Sequence, residues 1–197
     1  MIRNTLEQLR EYPYEDTESI ASRLLVSLAL EEEDAAANVA RYLQRLLGSQ
    51  RSDGGWGWWI SDSSNANITA YTLLALARAR QAGYAVDVNM TTRAREFLFN
   101  ALLSPNWISD AGVANQQAFL LYALTEAGVE DSGRLGALYE NREKLSHYGK
   151  ALLAMSLDLV QPGDARIQTL LSDIGLSLIH ISEPTRLLSI SYAVFCL

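Results

Sequence analysis

Few side chains in this sequence have the types and spacing for chemistry. In residues 12–19, YPYEDTES, Asp16 and Ser19 place a carboxylate and a hydroxyl at i and i+3, flanked by Glu15 and Glu18. An ester between that pair is poorly activated and has no reason to form unassisted. Residues 31–34, EEED, carry oxygen ligands for a divalent cation, although a solvated helix start explains them more plainly, since the helix dipole favours negative charge there. Asp62 and Asp110 stand alone near turns, and no Asp-x-Asp-Asp acid run exists. His147 precedes an apolar run, and Cys196 is the single cysteine.

The tail alters that inventory. Residues 176–186, LSLIHISEPTR, and residues 190–197, ISYAVFCL, resemble translations of a transposase-type sequencing adapter and of the flow-cell adapter that follows it. Residues 187–189 fit the short index between them. The plainer alternative is a native amphipathic helix or strand. Two matches in the right order and frame favour the adapter, so residues 176–197 are expected to be non-native and the native sequence to stop near Gly175. Cys196 and His180 fall in that tail. Residues 1–175 then hold one histidine, His147, and no cysteine. A disulfide, a metal thiolate, a Cys nucleophile and a zinc site of Asp, Cys and His are all excluded from that part. No metal or other cofactor is expected.

With 197 residues, 49% of them hydrophobic and 20% charged, the chain can bury one sizeable core. The net charge of −7 argues against a nucleic-acid partner, because nothing concentrates cations on phosphates. The arginines at 41, 45, 78, 80, 93 and 95 have helix-face spacing and read as solvated faces. No apolar run is long enough to span a bilayer, and residues 1–10, MIRNTLEQLR, lack the apolar core of a signal peptide. A signal or anchor is expected to lie outside this segment.

These residues must be positioned by helices. Ile2, Leu6 and Leu9 have helical spacing, and Pro13 ends that pattern by forcing Tyr12 from helical angles. Asp16 or Thr17 caps a helix to about Leu30, with Ile20, Leu24 and Leu28 on one stripe. Further helices are expected over 35–47, ended by Gly48, and over 68–82, ended by Gly83. Another starts at Thr91 or Thr92 and runs to about Leu103. A fifth leads from Asp110 or Gly112 to Gly128, a short one runs from Ser132 to Lys144, and another follows Ser146 as far as Pro162. The last spans 164–174. Strand propensity is low throughout, and the fold class is all-α.

Three segments superpose: AYTLLALARA from Ala70, AFLLYALTEA from Ala118 and KALLAMSLDL from Lys150. A strongly apolar helix therefore recurs at every second position, with more charged helices between. Helices apolar on most faces form an inner layer that the amphipathic ones cover. This alternation points to a ring of helical hairpins, an incomplete α/α toroid; an irregular bundle is the alternative.

Between the second and third helices, residues 46–56 read Leu-x-x-x-Gln-x-x-Asp-Gly-Gly-Trp, and the stretch runs on to Trp59. Gly54 and Gly55 permit a tight backbone after Asp53, and Trp56 supplies large apolar area with an indole N–H that needs an acceptor. The tryptophans are expected to seal one end of the ring rather than stack on a ligand. This turn resembles those of toroid proteins: terpenoid cyclases, prenyltransferase β subunits and thioester domains.

The segment YPYEDTES, followed by IASRLL, resembles the thioester segment of bacterial alpha-2-macroglobulin and complement-type proteins, Tyr-Pro-Tyr-(Glu/Gly)-Cys-x-Glu-Gln running into a helix. Tyr12, Pro13, Tyr14, Glu15 and Glu18 keep the frame. Asp16 stands where that family has Cys and Ser19 where it has Gln. Each replacement needs at least two base changes, which speaks against a sequencing error. The resemblance covers about residues 1–175, implying part of a thioester-type toroid domain truncated at both ends. It implies an endopeptidase inhibitor rather than an enzyme, with proteases and other domains of a longer chain as partners, in the periplasm or cell envelope. It also implies that covalent capture has been lost. In some thioester proteins a histidine assists acyl transfer; His147 has the right type but reads more plainly as a surface or capping residue. A toroid enzyme of the terpenoid cyclase or prenyltransferase superfamily and a structural cell-envelope protein are the alternatives.

Overall fold

The computed structural model describes residues 15–29, 34–104 and 108–180, the last five by backbone alone. These residues form eight α-helices: α1 (Thr17–Ala29), α2 (Ala35–Ser49), α3 (Ala66–Gln81), α4 (Val88–Ala101), α5 (Ala111–Glu126), α6 (Ser132–Glu140), α7 (His147–Val160) and α8 (Ala165–His180), with a 3₁₀ turn at Arg142–Lys144. No strand occurs among the described residues, so the fold is all-α. No helix among them is long and apolar enough to cross a membrane. The helical spacing of Ile2, Leu6 and Leu9, the Pro13 break and most of the 176–197 tail lie outside the described residues.

Burial sorts the helices into two layers. Nine of 16 residues are buried in α3 and nine of 16 in α5, against four of 15 in α2 and four of 14 in α4. A helix buried at that density has apolar side chains on most faces and must be surrounded, whereas a single stripe needs only one neighbour. Accordingly α3 packs between α1 and α5, and α5 packs on to α7. Helices α2, α4 and α8 lie mainly against α1, α3 and α7 respectively, and α6 sits across α5 and α7. The inner helices α3, α5 and α7 are the three that carry the superposed apolar segments.

Helix α5 joins the two halves of the core. Its Leu120, Ala123 and Leu124 belong to the cluster of α1–α4, while Ala118, Leu121 and Tyr122 belong to the cluster of α6–α8. A polar network around the buried Glu126 and Tyr122 fixes α5 against α3. Arg78 donates to Glu126 at 2.5 Å and to Tyr122 Oη at 3.1 Å; Tyr122 donates to the same carboxylate at 2.7 Å, and Gln81 Nε2 to its other oxygen at 3.1 Å. Burial and the Glu126 bond push the Tyr122 phenol up to about 12. The last turns of α3 and α5 meet in this network, so the two inner helices run in the same direction. Both end alike, with Tyr84 N–H on Ala79 O and Val129 N–H on Leu124 O across Gly83 and Gly128.

Most helix starts are capped by a side chain, though not always where local preference alone points. Asp110 and Ser146 accept from Val113 and Gly149 N–H, as expected. Asp87, rather than Thr91 or Thr92, caps α4. Both threonine hydroxyls instead bond back to Val88 O inside the helix. Asn65 starts α3 two residues early, and Asp131 takes the cap expected of Ser132. Helix α6 stops at Glu140 rather than Lys144, and Gly48 lies inside α2. A carboxylate or carboxamide reaches the third amide more readily than a neighbouring threonine does.

One inner-layer group is unsatisfied. Thr72 is fully buried and its Oγ1 has no hydrogen-bond partner. Replacing a desolvated, unbonded hydroxyl by a methyl group of similar shape removes its desolvation cost. Thr72→Val is expected to raise stability by about 1 kcal/mol, read from the urea unfolding midpoint. A lowered midpoint would show that the hydroxyl is bonded.

Candidate functional site

Asp16 is the N-cap of α1. Its Oδ1 accepts the Ser19 N–H at 2.9 Å and its Oδ2 accepts the Ser19 hydroxyl at 2.6 Å. One residue thus takes both donors of the residue three positions on. This is the local geometry of an N-cap aspartate, whose charge is also favoured by the helix dipole. Asp16 and Thr17 are buried, and Thr17 N–H donates to Trp58 O at 2.9 Å. The pair is consequently self-satisfied. The serine proton points at a carboxylate, and neither group is an activated acyl centre.

Charge around the pair is arranged by residues far away in sequence. Glu15 forms a bidentate ion pair with Arg45 of α2. The Arg45 guanidinium holds the Glu15 carboxyl below the usual range, with Arg23 and Arg41 adding to the effect. Glu18 moves the other way: although its side chain reaches solvent, partial desolvation beside the helix start raises its carboxyl, and the Asp16 charge adds to the effect. Ser22 Oγ and Tyr71 Oη, 2.9 Å apart, tie α1 to α3. Glu15, Thr17, Ile20, Arg45, Trp59 and Ile60 line a cleft of about 500 Å³ beside this helix start.

The tryptophan turn forms the other wall. Asp53 Oδ1 accepts Gly55 N–H at 3.0 Å and Ser64 Oγ–H at 2.7 Å. Burial pushes the Asp53 carboxyl up, but these bonds outweigh it and hold it below its ordinary value. Gly54 has φ +91°, and a Cβ there would lie 2.5 Å from Arg93 O, so both conformation and space demand glycine. At Gly55 a Cβ would meet Ser64 Cβ at 2.6 Å. Gln50 stitches the turn to α4, donating to Gly54 O at 2.8 Å and Met90 O at 2.9 Å while accepting from Arg93. Trp56 is fully buried with its indole N–H on Leu46 O at 2.9 Å, and its backbone N–H donates to Thr69 Oγ1. Trp56 seals the core as expected. Trp58 and Trp59 do not: they remain 46% and 48% exposed, with Ile60 at 74%.

The structure brings Asp16, Ser19, Glu15 and the turn together through one backbone bond and one shared cleft. Glu18 lies on the exposed side of the same helical turn. Tyr12, Pro13 and Tyr14 lie outside the described residues. His147 is not part of this arrangement. It is exposed in the first turn of α7, whose main neighbours are α5, α6 and α8, while α1 packs on α2 and α3. Asp110 serves as a helix cap, and Asp62 accepts Trp59 N–H within the turn. No cluster of three metal-ligating side chains occurs among the described residues. Arg45, Tyr71 and the Trp58 carbonyl are the participants that sequence reasoning missed. The helix-face spacing of Arg45 marks a solvated face, and nothing in that spacing reveals an acid 30 residues upstream.

An all-helical domain of layered hairpins, with a locked helix start facing a glycine-tryptophan turn, is the class that fold and site define. No protein-family model matches the chain. Alpha-2-macroglobulin of Escherichia coli (strain K12) is 30% identical over a stretch covering 83% of this chain and 11% of that protein. The native conformation of that E. coli protein superposes with a TM-score of 0.75 at 26% identity, covering 90% of this chain and 12% of the other. The trypsin-activated E. coli protein gives a TM-score of 0.71 at 25% identity over 83% of this chain and 13% of the other. The chain belongs to the bacterial alpha-2-macroglobulin family, and it spans about a ninth of the length of the curated relative it matches.

Four substitutions test the site. Asp16→Ala is expected to cost about 1–2 kcal/mol and Ser19→Ala about 0.5–1 kcal/mol, since the latter keeps its N–H bond. The double variant should cost less than the sum, by about 0.5 kcal/mol or more, in denaturant unfolding; strict additivity would show that the two side chains do not interact. Glu15 carries a depressed pKa in the folded state, so its contribution is present above the ordinary glutamate value and is lost as pH falls through the folded one. In Arg45→Gln the Glu15 carboxyl is expected to titrate at higher pH by carbon-detected NMR, and an unmoved titration would contradict the ion pair. Gly54→Ala is expected to destabilise the chain by about 2 kcal/mol or more, through strain at positive φ and the clash with Arg93 O, as a lowered unfolding midpoint.

Proposed function

We propose that this chain is part of an alpha-2-macroglobulin-like endopeptidase inhibitor that entraps proteases without capturing them covalently. The reading takes residues 1–175 as a partial thioester-type α/α toroid and residues 176–197 as adapter translation. The observation that carries it is the Asp16–Ser19 pair, a carboxylate bonded to a hydroxyl at 2.6 Å where the resembling motif has Cys and Gln. A Cys–Gln pair condenses to an activated acyl group; a carboxylate and a hydroxyl form a stable hydrogen-bonded cap. The helix start, the apolar turn and the spacing of the motif persist, so the domain keeps the architecture of the site without its electrophile.

Proteases and other domains of a longer chain are its partners in this reading, and the E. coli relative's trypsin-activated form supports the first of them. The periplasm or cell envelope is the proposed compartment. An inhibitory rather than enzymatic role fits a site whose side chains satisfy one another and leave no poised nucleophile or electrophile.

The test uses the full-length protein with an added protease. Protease bound to it is expected to cleave small peptide substrates but not large proteins, and peptide mapping after methylamine treatment is expected to show no adduct between residues 12 and 23. A methylamine adduct there would overturn the non-covalent reading. Undiminished cleavage of large proteins would overturn trapping itself and favour a structural cell-envelope role.

A further inference from the structure

We draw no further inference here: the strongest candidate, the exposed apolar side chains Met155 and Leu159 of α7 and Leu171 of α8, is an apolar surface patch, and nothing in the structure shows what covers it.

Discussion

The inner helices impose the main constraint on this structure. A helix such as α3, with Ala70, Ala75 and Leu76 buried on three different sides, has little surface left for water between its ends. It must be enclosed by two inner neighbours and an outer helix, and each neighbour of the same kind repeats the demand. Hairpins follow from this, because a short turn is the simplest way to return an amphipathic helix over an apolar one. Helix ends then gather at the rims of the two layers, where backbone amides and carbonyls lose intrahelical partners. The rims are therefore where polar side chains concentrate: Asp16, Asn65, Asp110 and Ser146 at starts, and Arg78 with Glu126 at ends.

The candidate site is one of these rim positions, and its character comes from how fully it is satisfied. A helix start is an electropositive place with open amides, suited to holding a reactive acyl group or an anion. Here Asp16 occupies it, Ser19 completes it, and Trp58 O takes the amide of Thr17. The arrangement stabilises the start of α1. A carboxylate at the cap gains from a donor three residues on, and a serine there supplies two.

Beside this locked centre the turn presents apolar side chains. Trp58, Trp59 and Ile60 stay exposed while their backbone is held by Asp62, Arg51 and the start of α1. The turn is thus rigid without being buried. Trp56 alone bears the packing load, because its indole N–H reaches Leu46 O and its ring fills the space between α2 and α3. The neighbouring Trp58 and Trp59 play a different part, staying about half exposed.

The sequence by itself determined the all-helical class, the alternation of apolar and amphipathic helices and a helix cap at Asp16 or Thr17. It also placed Gly54 and Gly55 where the backbone can turn tightly. Each of these depends on local periodicity or on hydrogen bonds across three or four residues, which spacing alone specifies. Only the tertiary structure decided that Glu15 pairs with Arg45, that Thr17 N–H meets Trp58 O, and that Ser22 meets Tyr71. It also separated His147 from Asp16, moved the start of α4 to Asp87 and left two tryptophans half exposed. Those outcomes depend on how helices dock, and docking is set by summed apolar burial over many residues. A charged or aromatic side chain then finds whichever partner that docking brings within reach.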